Sequence, residues 1–244
     1  MTMPQCFIGT SGWNYKAWKE SLYQGVAQKR WLEHYATRFK AVEVNSTFYR
    51  LLKEQTLRQW VERTPDSFTF ATKGSRYITH TKRLKDPKEP VQTQRDNLES
   101  MRSKLTALCW QMPASMHKDM HRLHTFAAAL DAWPWVRHAL EFRHTSWFDQ
   151  EVADCLTAHD LAICISDAAD WPRWDRVSTD LVYLRLHGNH ETYASLYTPD
   201  ELQSWADFLT SHLQEERSVH IYFDNTDSGA AVDNALSMQT LLKT

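Results

Sequence analysis

Glu43-Val44-Asn45-Ser46-Thr47-Phe48-Tyr49-Arg50 is the stretch on which the fold is read. A short apolar run, Ala41 to Val44, carries Glu43 and then breaks into small polar residues and two aromatics. A buried strand ends this way when its last residues face a solvent-filled site instead of a core. The same event recurs seven more times along the 244 residues.

Working outward, Cys6 to Gly9 reads as a strand opening into Thr10-Ser11-Gly12-Trp13, and Phe68 to Thr72 as one delivering Lys73-Gly74. Ala107 to Met112, His138 to Phe142, Ala162 to Ser166, Leu181 to His187 and Val219 to Phe223 follow in the same style. Between them lie apolar stripes at helical spacing: Trp31, Leu32, Tyr35, Ala36 and Phe39; Leu57, Trp60 and Val61 before Pro65; Leu98, Met101 and Leu105; Met120, Leu123, Ala127 and Leu130; Val152 and Leu156 after Asp149. Thr198-Pro199-Asp200-Glu201 has the form of a capping box with proline at the first helical position; Leu202, Trp205, Ala206, Leu209 and Leu213 continue that helix. Ala231 to Leu242 reads as a closing helix.

Strand and helix alternating eight times predict a parallel sheet with helical crossovers. Closed on itself, that pattern is an eight-stranded TIM (β/α)8 barrel, here one domain over residues 1–244. An open doubly wound sheet is the competing fold. The stretch between Asp167 and Leu181 lacks an apolar stripe, so the sixth helix is expected to be vestigial.

Barrel sites gather at the carboxyl ends of the strands, where the βα loops are free to vary. The chemistry-bearing residues fall there. Glu43, Glu141, Asp167 and His187 are the candidate catalytic groups; Lys73, Arg143, Arg185, Asn45, Trp13, Tyr49 and Asn225 are the candidate substrate contacts. Alternation along a strand puts Glu141 and Arg143 on one face of theirs and Arg185 and His187 on one face of theirs; with both faces inward, the charges converge at one mouth. An ion-pair network filling the polar end of a barrel would use the same residue types. Placement of these charges in the last residues of their strands favours a site. Arg143 and Arg185 suit a phosphate or carboxylate, and an anion held between them is the expected ligand. Lys73 reads as an anion contact or a desolvated amine. Glu141, flanked by Leu140 and Phe142, is the expected general base, and His187 a further proton carrier. His187, Glu141 and Asp167 could ligate a metal, but interleaved cations disfavour a dication, so neither metal nor cofactor is expected.

From Ser67 to Lys85 no acid occurs, while Lys73, Arg76, His80, Lys82, Arg83 and Lys85 accumulate. The basic loop 73–85 reads as a solvated loop or as an electrostatic funnel for an anionic ligand, nucleic acid included. The overall charge of −2 argues against a general polyanion binder. Four cysteines without a C-x-x-C pair read as reduced thiols, and no leader or membrane-length apolar run is seen; a cytoplasmic monomer is expected.

Ile8-Gly9-Thr10-Ser11-Gly12-Trp13, Val42-Glu43-Val44-Asn45-Ser46-Thr47-Phe48-Tyr49, Glu141-Phe142-Arg143-His144 with Ser146-Trp147-Phe148, and Tyr183-Leu184-Arg185-Leu186-His187-Gly188 together resemble the YecE-like proteins, domain of unknown function 72. The likeness runs over essentially the whole chain. It implies a TIM barrel and a bacterial-type protein, and no established activity, substrate or cofactor. The last strand departs from the family pattern, reading Asp224-Asn225 where two asparagines are common. The residues themselves point to a metal-independent acid–base enzyme for a small anionic, phosphate- or carboxylate-bearing and conceivably nucleotide-like substrate. A nucleic-acid binder or repair-type phosphodiesterase, and a non-catalytic ligand-binding protein, are the alternatives.

Overall fold

The computed structural model describes residues 5–227 and 229–243. Eight strands, β1 (Cys6–Thr10), β2 (Ala41–Val44), β3 (Thr69–Lys73), β4 (Leu105–Gln111), β5 (Arg137–Glu141), β6 (Ala162–Asp167), β7 (Leu181–Leu186) and β8 (Ser218–Phe223), form one all-parallel sheet in the order β1-β8-β7-β6-β5-β4-β3-β2. Pairing of β1 with β8 brings the chain ends together, and a single parallel bridge between Ser11 and Glu43 links the remaining edge, so the sheet is a nearly closed barrel. At that seam Gly9 has no freedom to be anything larger: a Cβ on it would sit 2.0 Å from the Ala41 carbonyl oxygen.

Eight helices accompany the strands among the described residues: α1 (Trp31–Tyr35), α2 (Ser46–Tyr49), α3 (Glu54–Glu62), α4 (Lys88–Leu98), α5 (Met120–Leu130), α6 (Gln150–Ala158), α7 (Pro199–Gln214) and α8 (Ala230–Leu242). Their starts follow local chemistry. Asp119 accepts from the Arg122 N–H and Asp149 from the Val152 N–H, each satisfying a first-turn donor of α5 or α6. At α7, Thr198 Oγ1 accepts from the Glu201 N–H while the Glu201 carboxylate accepts from the Thr198 N–H, as the capping box predicts. Between β6 and β7 there is no helix at all. Two expectations need correction. Leu105 opens β4 instead of closing a helix, because α4 ends at Leu98 and a 3-10 turn, Glu99–Met101, leads on toward the strand. The first amphipathic helix stops at Tyr35, four residues short of Phe39.

The core has two compartments. Outside the sheet, Ile8, Val44, Phe70, Leu140, Ile163, Leu184 and Ile221 pack with helix residues such as Leu123, Phe126, Leu156 and Leu209. Inside the barrel, small residues from five strands (Ala41, Ala71, Ala107, Cys109, Ala139, Ala162 and Cys164) leave room that Tyr183 and Tyr222 fill from the other side. The lumen is therefore a packed layer of side chains. The Tyr183 hydroxyl rises from it to donate to Glu43 Oε2 at 2.7 Å, which couples the apolar layer to the charged one above.

Candidate functional site

Inward-facing positions follow the period of two, and at the carboxyl ends they are Ser11, Glu43, Lys73, Gln111, Glu141, Ser166, Arg185 and Asp224. Arg185 is the hub. It is fully buried, and all three of its nitrogens are engaged. Its Nε meets both oxygens of Glu43 at 3.0 and 3.1 Å, and its Nη2 reaches Glu43 Oε1 at 2.8 Å and Asp224 Oδ2 at 3.0 Å. Its Nη1 donates to Glu141 Oε2 at 2.7 Å and faces His187 Nε2 at 3.1 Å. Glu43 also accepts from Ser11 Oγ at 2.6 Å. Its carboxylate is thus saturated by donors from β7 and from the end of β1.

Glu141 is clamped on both oxygens. Arg143 Nε donates to Oε1 at 2.7 Å, opposite the Arg185 contact, and Ser166 Oγ lies 3.4 Å from Oε1. Burial alone would raise this carboxyl, but Arg143, Arg185, His187 and Lys73 together hold it well below the ordinary range, so it stays ionised. Asp224 behaves alike: burial is outweighed by Arg185 and His187, and its carboxyl sits at about 2. His187 is buried beside Arg185, and both effects depress its imidazole. Because Nε2 accepts from the guanidinium, the ring is neutral with its proton on Nδ1, which lies 3.0 Å from Asp224 Oδ2 in an approach too bent for a good hydrogen bond.

Two cations remain less committed. Lys73 Nζ donates to Gln111 Oε1 at 2.6 Å and lies 4.6 Å from the Phe48 ring centroid. Burial first, and then Arg185, lower its ammonium, against the pull of Glu141, Glu43 and Asp224. Arg143 spends its Nε on Glu141 and stacks its guanidinium 3.8 Å above Trp171, whose Nε1 donates to Ser166 Oγ. Among the described residues neither Nη of Arg143 has a protein acceptor. Arg76, 6.0 Å from the Phe48 ring, extends the positive side of the mouth, and His80 lies edge-on to the same ring at 5.1 Å. Burial, with Lys73, Arg76 and Arg143 nearby, pushes the His80 imidazole down to about 4, so it is neutral at pH 7. In the rest of the basic loop, Lys82 faces Asp86 at 3.8 Å and Arg83 donates to the Ser115 carbonyl.

The structure brings Glu43, Lys73, Glu141, Arg143, Arg185 and His187 together at one end of the barrel. Other expected contacts go elsewhere. Asp167 is the outward neighbour of Ser166; it accepts from Arg173 at 2.8 Å and from the Tyr197 hydroxyl at 2.9 Å, away from Glu141. Asn225 is likewise the outward neighbour of Asp224 and ties the Ser195 carbonyl to Asn234 of α8. Tyr49 is 67% exposed and packs edge-on against Phe48. Trp13 and Asn45 line a separate cleft of about 630 Å³ with Tyr15, Arg50 and Trp60, beside the hub. Arg185 itself has no donor left for a ligand, so an anion between Arg143 and Arg185 has to rely on Arg143. Ser11, Gln111, Ser166 and Tyr183 are the uncharged members that reading by charge passed over, and Asp224 joins them as a carboxylate to which the sequence assigned no role. The parity of Cys164 with Ser166 and of Tyr222 with Asp224 carries that signal.

The family model described as protein of unknown function DUF72 matches residues 7–244. The chain is 24% identical to UPF0759 protein YunF of Bacillus subtilis over 275 residues, covering 97% of this chain and 94% of that protein. It is 28% identical to UPF0759 protein YecE of Escherichia coli over 144 residues, 58% of this chain and 50% of the relative. A DUF72 family protein from Thermotoga maritima has the same fold, with a TM-score of 0.88 and 26% identity, covering 98% of this chain and 100% of that one.

Proposed function

The chain belongs to the DUF72 family of proteins of unknown function, and we propose that its barrel mouth is the active site of a metal-independent enzyme performing acid–base chemistry on a small anionic substrate. One observation carries this reading: Arg143, delivered just past β5, holds Glu141 with Nε and presents two Nη groups that have no acceptor among the described residues, in a mouth that also holds a desolvated Lys73. Three carboxylates (Glu43, Glu141, Asp224) meet three cations (Arg143, Arg185, Lys73), so the cluster is neutral with His187 uncharged. A ligand with one or two negative charges, on a phosphate or carboxylate, fits the donors that Arg143 and Lys73 have to spare. The same interleaved cations oppose a bound dication.

In this reading Arg185 orients. It holds Glu43, Glu141 and Asp224 and fixes the His187 tautomer. Glu141 is a weak base while both guanidiniums clamp it. An anion that draws Arg143 onto itself relaxes one side of that clamp, and the Glu141 carboxyl rises toward the range useful for proton transfer. Substrate binding thereby switches on its own base. Lys73, lowered by burial, provides a second group able to exchange a proton with the bound molecule. Trp171 supplies the flat wall that keeps the Arg143 guanidinium in place. The engagement of Lys82 and Arg83 with Asp86 and Ser115 supports a small ligand over a nucleic-acid backbone along loop 73–85.

The test is a phosphate and sulfate titration followed by thermal melting. Wild type is expected to be stabilised progressively, and Arg143→Gln to lose that response, while Arg173→Gln, a rim arginine, retains it. Equal stabilisation of wild type and Arg143→Gln would place the anion elsewhere and remove the basis of the proposal. Native mass spectrometry of the purified protein is expected to reveal a co-purified molecule bearing phosphate or carboxylate.

A further inference from the structure

On the outer layer of the barrel, remote from the charge cluster in role and in residues, His124 of α5 meets Cys155 and His159 at the end of α6. One donor atom from each of the three lies within 4.8 Å of the other two. We infer that His124, Cys155 and His159 form a binding site for a borderline-soft divalent metal ion, zinc(II) being the type, which pins α5 to α6.

The geometry follows from the chain. Cys155 and His159 are four residues apart, so they stand one turn from each other on the same helical face. The helix ends there: Asp160 has φ of 52°, in the left-handed region, and the Leu161 N–H returns to the Leu156 carbonyl. His159 is thereby held at the last turn instead of fraying. Across the helix pair, His124 Nδ1 and Cys155 Sγ are 3.4 Å apart. Ligands of a tetrahedral zinc ion, with Zn–S near 2.3 Å and Zn–N near 2.05 Å, stand roughly 3.5 Å from each other. This pair is already at that separation, and small side-chain rotations bring in the third.

Asp131 supplies an independent sign. Its carboxylate oxygens lie 3.0 and 3.1 Å from His159 Nδ1. An Nδ1–H donated to a carboxylate leaves the Nε2 lone pair directed outward, and this carboxylate–histidine pairing is the arrangement that orients ligating histidines in metal sites. Two imidazoles and a thiol are the donor set a borderline-soft ion prefers over calcium or magnesium. The step involves no redox change. The Cys155 thiol loses its proton to solvent, the thiolate and two neutral imidazoles bind the ion, and the metal takes the place of the proton now shared with His124. His124 is exposed, so the fourth position opens to water.

Cobalt(II) titrated into chelator-stripped protein tests this directly. Wild type is expected to take one equivalent with a thiolate-to-cobalt charge-transfer band, and zinc is expected to displace it and raise the melting temperature. Cys155→Ser should abolish the band while Cys6→Ser, altering the half-exposed cysteine of β1, leaves it intact. Asp131→Asn should weaken affinity about 10–100-fold without removing the band. Circular dichroism of each variant establishes that it is folded. A wild type without the band, or a Cys155→Ser variant that keeps it, would overturn the inference.

Discussion

Lys73 Nζ rests on one protein acceptor among the described residues, Gln111 Oε1 at 2.6 Å, although three carboxylates act on it from the same barrel mouth. Its side chain is buried, and the folded protein disfavours its charged form relative to the unfolded chain. A lysine whose folded value is lowered costs stability at every pH below that value. The cost disappears as pH rises through the unfolded value near 10.4. Lys73→Met is therefore expected to stabilise the protein at neutral pH, by on the order of 1 kcal/mol, while abolishing turnover or ligand binding. Melting curves from pH 7 to 10 check both parts. The gain should shrink toward the alkaline end.

Arg185 is expected to behave in the opposite way. Arg185→Ala leaves Glu43, Glu141 and Asp224 without their shared partner, and the loss should be at least about 3–5 kcal/mol. The deficit should be smallest in acid, where the orphaned carboxylates protonate, and grow as pH rises. Arg185→Lys keeps the charge but loses the fork that reaches three acids at once, so an intermediate loss is expected. Chemical denaturation at pH 5 and pH 8 separates the two variants.

Glu141 and Asp224 also set an acid limit for the wild type. Both have folded values below the ordinary carboxylate range, so the stability they contribute is complete above about pH 4 and is lost as pH falls through the folded values, about 2 for Asp224. The melting temperature is expected to drop between about pH 4 and pH 2. Asp224→Asn should start lower and show a shallower decline.

Gly9→Ala tests the seam. A methyl group 2.0 Å from the Ala41 carbonyl oxygen cannot be absorbed by a side-chain rotation, because the obstacle is backbone. A loss of about 3 kcal/mol or more is expected, with hydrogen exchange rising first in β1 and β2. Unchanged exchange there would mean that the edge is more open than a near-closed barrel allows.

Strand positions were legible because each apolar run is short and ends in polar residues, and each of the eight runs read as strands, from Cys6–Gly9 to Val219–Phe223, overlaps an observed strand. Register within the site was less legible. Asp167 and Asn225 each stand one residue past the inward position, held by Ser166 and Asp224; at Asp167 charge is a louder signal than parity, whereas at Asn225 parity alone separates the two neighbours. The full burial of Arg185 could not be read locally, since it depends on carboxylates arriving from three other strands. The short first helix and the early start of β4 at Leu105 are tertiary outcomes: an apolar residue at helical spacing serves equally well as the first residue of a buried strand.

The partners of Arg185 come from opposite ends of the chain, Ser11 and Glu43 near its start and Asp224 near its finish. During synthesis, Glu43 emerges some 140 residues before the guanidinium that neutralises it. A nascent N-terminal half that docked early would have to bury a lone carboxylate, so the energetics discourage a stable half-barrel and defer consolidation until β7 and β8 exist. Folding of this chain should accordingly be slow, dominated by long-range closure, and a split-gene pair of fragments should gain structure only on mixing.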